Sequence, residues 1–509
     1  MVERRDLLKA ALGALTAAVV PGERAGAQNA GPSPAGFSRE RLLDEARKLQ
    51  AKPFAPVAAD LAEFYTTLSR EHYEAISTKP EALIWAGESR GFCVEPLLRG
   101  WVYGAPVEMQ IVDGGVETKP PFDPAKFDFG EVKLPEKLPE GGFSGFRVLP
   151  EAGVGKEREA AAIADFQGAS FFHSKAPGQN KWGVAARGLS IRTADPQGEE
   201  FPTFRKFWIE KPTPGANSLV IHALLDSPSV VGVYRFTLRA SEATIIDTEL
   251  TLFPRVELDH IGIASLAGTS LFTPLDRRRT DDIRPAACEM NGLQILTGKD
   301  EWLWRPLSNR NSLQYSSFVD ANPKGFGFIM RSRDIAAYQD DKEHWEQRPS
   351  IWIEPLNEWG EGAVQLVEIP SESELNDNII AYWRPKQRIS SATSFAYRQF
   401  WCWNPPLRPP LATVADARSG RGVAPKHRRF VVVFSGDALG EAGRPTAKAS
   451  LTPTPGNAVI LHDAYDAASR TYRVVFEVDP GNETYCELRL ALKAGDEQIS
   501  ETWLYRWTA

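Results

Sequence analysis

The triplet Asn376-Asp377-Asn378 sets one carboxylate between two amides, just ahead of the apolar run Ile379-Ile380-Ala381-Tyr382-Trp383. All three side chains have turn chemistry, because each can hydrogen-bond nearby backbone, so one reading is a loop entering a strand. The other reading is a general acid. A carboxyl on a turn packed beside Tyr382 and Trp383 is desolvated, its pKa rises, and it keeps a proton at neutral pH.

A second concentration of chemistry lies upstream. Glu301-Trp302-Leu303-Trp304-Arg305-Pro306, His344-Trp345-Glu346-Gln347-Arg348, Ser350-Ile351-Trp352-Ile353-Glu354-Pro355 and Asn357-Glu358-Trp359-Gly360 put five of the 14 tryptophans beside carboxylates and arginines. Indole faces stack on the C–H faces of sugars, while charged and amide groups read the hydroxyls. This mixture predicts a cleft for a neutral carbohydrate, lined by Trp304, Arg305, Trp345, Arg348, Glu354, Trp359 and Trp383. The alternative is that these rings belong to the core of a large sandwich.

The elements that must position such residues are mostly strands. Apolar residues recur at three and four over 39–49 and 59–68, which predicts two helices. Beyond them, runs such as Ser218–Leu225 and Val233–Leu238 alternate with Gly, Pro, Asn and Asp, which predicts strands and turns. No glycine-rich phosphate loop follows any strand. The cluster Asn404-Pro405-Pro406-Leu407-Arg408-Pro409-Pro410 cannot sit inside a sheet and reads as a stiff linker. After it come short strands at Arg429–Phe434, Tyr472–Val478, Leu488–Leu492 and Thr502–Trp507, the spacing of an immunoglobulin-like sandwich. The expected architecture is all-β, with a large domain over 35–403 and an immunoglobulin-like domain over 411–509.

Residues 1–27 read as an export signal. Arg4-Arg5 precedes the apolar run Ala10–Val20, which is too short to span a bilayer, and Ala25-Gly26-Ala27 offers a cleavage site before Gln28. The twin arginines predict the twin-arginine route and a periplasmic destination. A net charge of -7 without a basic, aromatic-interleaved patch argues against nucleic acid. Cys93, Cys288, Cys402 and Cys486 lie far apart with no Cys-x-x-Cys, so neither zinc nor a redox motif is indicated, although one disulfide is compatible with an oxidising compartment. Neither a metal nor a cofactor is expected.

Several stretches together resemble the periplasmic glucan biosynthesis proteins G and D. They are Gly198–Ile209, Ala223-Leu224-Leu225-Asp226-Ser227-Pro228-Ser229, Glu301–Leu307, Asn322-Pro323-Lys324-Gly325-Phe326-Gly327, Arg348–Pro355, Asn376-Asp377-Asn378 and the terminal Glu501-Thr502-Trp503-Leu504-Tyr505. The twin-arginine start points to the D branch. The resemblance implies a galactose-mutarotase-like β-sandwich followed by an immunoglobulin-like domain, and a role in making osmoregulated periplasmic glucans with β-1,2-linked backbones. Some members of that family are inverting β-1,2-glucan hydrolases and related ones transglycosylases.

The resemblance also implies roles for residues. Asp377 takes the position of the general acid in hydrolytic members. The base lies in a family pattern Arg-Pro-Glu-Val-His-Asp-Ser-Asp-Gly-Leu, where this chain reads Arg284-Pro285-Ala286-Ala287-Cys288-Glu289-Met290-Asn291-Gly292-Leu293. Arg284 is kept as a substrate-binding candidate. Glu289 is the candidate base, displaced by one bond, and a misplacement of about 1 Å can lower a rate roughly 10²-fold. Its other reading is a carboxylate ion-paired near Arg284. Asp281 and Asp282 are substitutes in principle, or partners of Arg277, Arg278 or Arg279. Two functions stay open: an endo-acting β-1,2-glucan hydrolase or transglycosylase, and a non-enzymatic protein that guides the nascent glucan from the membrane glucosyltransferase.

Overall fold

A computed structural model describes residues 36–58, 60–153, 158–277, 280–440 and 446–508. The expected export signal over 1–27 lies outside the described residues. From Phe37 onward the chain forms one compact unit built almost wholly of strands.

Two large sheets carry the molecule. In the first, Phe92–Leu98, Phe143–Pro150, Ala164–Gln167, Phe171–Ser174, Ala185–Arg187, Ile261–Gly268, Ile379–Pro385, Glu361–Glu368 and Gln314–Ala321 pair in that order. The second contains the long meander Thr203–Glu210, Leu219–Asp226, Val230–Ala240 and Thr244–Pro254, then Thr393–Cys402, Ser350–Pro355, Gly325–Ile329, Gly292–Leu296 and Trp302–Pro306. Their inner faces meet through aromatic rings. Phe146 and Phe166 of the first sheet stack at 5.1 Å, and Phe207 of the second meets Phe146 edge-on at 5.0 Å. Such pairs add to the burial that holds the layers together, about 0.5–1.5 kcal/mol each.

The C-terminal strands join this structure directly. Thr502–Thr508 pairs in parallel with Trp302–Pro306, extending the second sheet to Tyr485–Ala494 and Ala447–Thr454. A separate four-stranded sheet, Thr413–Arg421, Arg428–Ser435, Thr471–Asp479 and Asn457–Asp466, packs Phe430, Val432 and Phe476 into the same core as Trp302, Trp304 and Trp352. The proline cluster lies outside every strand, as its missing N–H groups require.

The helix expected at 39–49 forms as Arg39–Gln50, capped by Ser38, with Leu42 and Ala46 buried on the outer face of the meander. The second helical pattern breaks into Glu63–Thr66 and Arg70–Ala75, because the Ser69 hydroxyl accepts the His72 N–H and starts a new helix there. Among the described residues no helix is long and apolar enough to cross a membrane. All four cysteines are buried free thiols, so no disulfide forms.

Candidate active site

The Asn378 side-chain amide and the Asn376 backbone carbonyl anchor the Asn-Asp-Asn loop. Asn378 Oδ1 accepts the Ser270 N–H at 2.8 Å, and its Nδ2 donates to the carbonyls of Ser270 and Ile369 at 3.1 and 3.2 Å. The Asn376 carbonyl accepts the Thr269 hydroxyl at 2.9 Å. Asp377 is thus pinned on both sides while its own carboxyl hydrogen-bonds to no described residue. Its pKa is pushed up to about 7, first by burial and then by the charge of Glu289, with Arg187 opposing. The residue keeps an exposed surface although protein surrounds its carboxyl, the situation of a group on the wall of an open cleft, where water screens part of the repulsion. The sequence expectation of a pKa raised by burial agrees with this direction and with its first cause, and the charge of Glu289 adds to it.

Thr269 holds both carboxylates. Its N–H donates to Glu289 Oε2 at 3.1 Å, its carbonyl accepts the Glu289 N–H at 2.9 Å, and its hydroxyl holds the Asp377 loop. The preceding Gly268 leaves the space this requires, since a Cβ there would stand 2.8 Å from Glu289 Oε2 and from Met290 Cε. Glu289 is buried, and its Oε1 accepts Arg348 Nη1 at 2.6 Å. Arg348 also binds Glu343 at 2.9 Å and the Trp182 carbonyl at 3.0 Å, with its guanidinium 4.3 Å over the Trp345 ring. A carboxylate gripped in this way is a poor free base.

Arg284 ties three loops together. It binds Asp282 at 2.8 Å, Asp340 at 2.7 Å and Glu374, three residues before Asp377, at 2.5 Å. Burial raises the Asp340 pKa, but the Glu343 N–H, Arg284 and the Trp345 indole outweigh it and hold the carboxyl well below its usual range. Asp282 is held down chiefly by its hydrogen bond to Arg284. Asp282 therefore serves this clamp rather than replacing Glu289.

The adjoining cavity has a volume of about 600 Å³. Its wall carries residues that the sequence reading did not single out: Tyr73, Trp101, Tyr103, Arg147, Asp165, Gln167, His173 and Trp182. Tyr73, Trp101 and Tyr103 cluster with centroids 5.6–6.1 Å apart. Trp101 has φ +50°, a left-handed conformation unusual for a bulky residue and typical of positions held for function. Tyr103 is raised mainly by burial, and among the charges it feels are those of Asp165 and, more weakly, Asp377. The wall thus combines ring faces with carboxylates and arginine.

The tryptophans expected in that role lie elsewhere. Trp383 is 0% exposed and packs 6.0 Å from Trp359, which is also buried. Trp304 is buried with the Arg331 guanidinium 3.5 Å over its face, and Arg305 is buried against Glu368 at 3.0 Å. Trp345 is buried with its indole N–H on Asp340, and Glu354 accepts the Trp352 indole at 3.1 Å. Trp302–Pro306 is covered on both faces, so Trp304 and Arg305 point into protein on either side. Of the expected binding residues, Arg348 and Arg284 approach the carboxylate pair, and they do so as clamps. Among the described residues no cluster of His, Cys, Asp and Glu has the form of a metal site.

Residues 37–507 match the family described as periplasmic glucan biosynthesis protein, MdoG. A glucans biosynthesis protein G of Vibrio cholerae serotype O1 is 40% identical over 479 residues, covering 93% of this chain and 87% of that protein. One from Shewanella sp. (strain W3-18-1) is 41% identical over 482 residues, with the same coverage. This chain therefore belongs to the MdoG family of periplasmic glucan biosynthesis proteins and has a role in making periplasmic glucans.

Proposed function

We propose that this protein cleaves or transfers β-1,2-linked glucan in the periplasm, with Asp377 as general acid. The observation that carries the reading is the Asp377 carboxyl, free of hydrogen bonds to the described residues and raised to about 7 by burial and the charge of Glu289, in a molecule with an aromatic-lined cavity of about 600 Å³. An acid that keeps its proton near neutrality is what protonation of a leaving glycosidic oxygen requires. The test is incubation of the mature chain with linear β-1,2-glucan. Shorter or cyclised products are expected, and Asp377→Asn should abolish them while leaving glucan binding nearly intact.

A second reading is favoured by the Glu289–Arg348 ion pair, which occupies the candidate base. In that reading the cleft guides the nascent glucan from the membrane glucosyltransferase without cleavage. Tight binding of linear β-1,2-glucan with no product would establish it.

The finer fold reading accompanies both: 35–403 as a galactose-mutarotase-like sandwich that binds the glucan, and 411–509 as an immunoglobulin-like module that buttresses it. The D-branch assignment rests on Arg4-Arg5, against relatives that carry the name G. Export by the twin-arginine route is tested by replacing Arg4 and Arg5 with Lys, which should leave the precursor in the cytoplasm.

A further inference from the structure

We propose that His173 is the residue that accepts the proton of the attacking water in this protein, the task from which Glu289 is withdrawn. This deepens the cleavage reading above and rests on it.

His173 and Asp165 are direct partners on adjacent antiparallel strands, so their side chains share a face, and both line the cavity. Arg147 fixes Asp165 at 3.0 Å, which leaves a stationary negative charge beside the imidazole. Trp182 approaches the His173 ring edge-on at 6.3 Å and limits its orientation. Neither ring nitrogen of His173 hydrogen-bonds to a described residue, so one is open to a water held in the cavity. Glu289, in contrast, has Oε1 on Arg348 and Oε2 on the Thr269 N–H.

Charge supports the assignment. Burial and Arg348 keep His173 below its ordinary pKa, while Asp165 and Glu289 pull it upward. Arg147 on Asp165, Arg70 on the cavity wall and Lys175, whose ammonium lies 4.4 Å from the Trp182 ring centroid, are the further cations on this side. The imidazole is therefore neutral and ready to accept a proton where Asp377 still holds one. Both His173 and Asp377 feel the charge of Glu289, which Arg348 and the Thr269 N–H hold as a fixed anion.

The step balances. The water oxygen bonds to the anomeric carbon while its proton passes to a ring nitrogen of His173. The glycosidic C–O bond breaks with its electron pair on the leaving oxygen, which takes the proton of Asp377. The resulting imidazolium and carboxylate return to their starting states by exchange with solvent.

Azide identifies the base, because it attacks without needing deprotonation. Full-length mature protein carrying His173→Ala should cleave linear β-1,2-glucan about 10²–10⁴-fold more slowly than wild type. Sodium azide should restore the rate and yield a glucosyl azide of inverted configuration. Glu289→Ala and Asp377→Asn should gain nothing from azide. His173→Gln, checked for a wild-type circular dichroism spectrum, provides a second variant in which the acidic limb of the pH–rate profile should vanish. Azide rescue of Glu289→Ala instead, or wild-type turnover by either His173 variant beside an inactive Asp377→Asn, overturns the assignment and leaves the cleavage reading standing. A wild-type chain that yields no product overturns both.

Discussion

Glu501 and Asp377 are carboxylates of opposite kinds. Glu501 is 0% exposed and accepts four hydrogen bonds: two from Arg331 at 2.6 and 2.8 Å, one from Gln294 at 3.0 Å and one from the Val414 N–H at 2.8 Å. It sits where the C-terminal strands meet the large sheet, and every lone pair is used. Asp377 keeps an exposed surface, accepts no hydrogen bond from the described residues, and feels the negative charge of Glu289. The contrast teaches how to separate the two roles: a structural carboxylate is surrounded by donors, while a carboxylate poised for proton transfer is denied them.

Breaking the structural side should have the largest effect. Glu501→Ala leaves the Arg331 guanidinium and the Val414 N–H without their acceptor, and removing one member of a buried ion pair typically destabilises by about 3–5 kcal/mol. Urea unfolding should show the midpoint falling by a corresponding amount. An unchanged midpoint would mean that the junction contributes little.

Gly268→Ala should act less strongly and more locally. The added methyl meets Glu289 Oε2 and Met290 Cε at 2.8 Å, with Val184 Cγ2 at 3.2 Å. Because Arg348 and Thr269 pin that carboxylate, overpacking should lower stability by about 1–3 kcal/mol. It should also displace Glu289 and so bring the pKa of Asp377 back toward its ordinary value, which carboxyl NMR titration would detect. An Asp377 titration unchanged from wild type would show that Glu289 has not moved.

The smallest effect is the sharpest. The folded-state pKa of Asp377 lies near 7 against an ordinary 3.8, so the folded protein binds a proton that the unfolded chain has released. Stability attached to that proton is present below about pH 4 and is lost as pH rises to about 7. Asp377→Asn imitates the protonated form, and should raise the melting temperature at pH 8 while leaving it nearly unchanged at pH 4. A variant that stabilises equally at both values would show that Asp377 is not held protonated.

Local chemistry was readable in the chain, whereas long-range placement was not. The turn character of Asn376-Asp377-Asn378 and the helix over 39–49 depend on neighbouring residues, and both are found as expected. The tryptophans were read beside the arginines that follow them in sequence. In a strand, however, adjacent residues point to opposite faces, and in Trp302–Pro306 both faces are buried. Asp165 and His173 escaped notice because only antiparallel pairing of two short strands makes them neighbours. One available signal was a histidine interrupting the apolar Phe171-Phe172 run, where a buried polar residue needs a reason.

The most direct measurement is product formation from linear β-1,2-glucan by wild-type protein and by Asp377→Asn, followed from pH 5 to pH 9. Cleavage by the wild type that declines on the alkaline side near pH 7, where Asp377 loses its proton, and that is absent in Asp377→Asn is the predicted result. Equal product from both proteins, or none from the wild type despite glucan binding, would contradict Asp377 as a general acid.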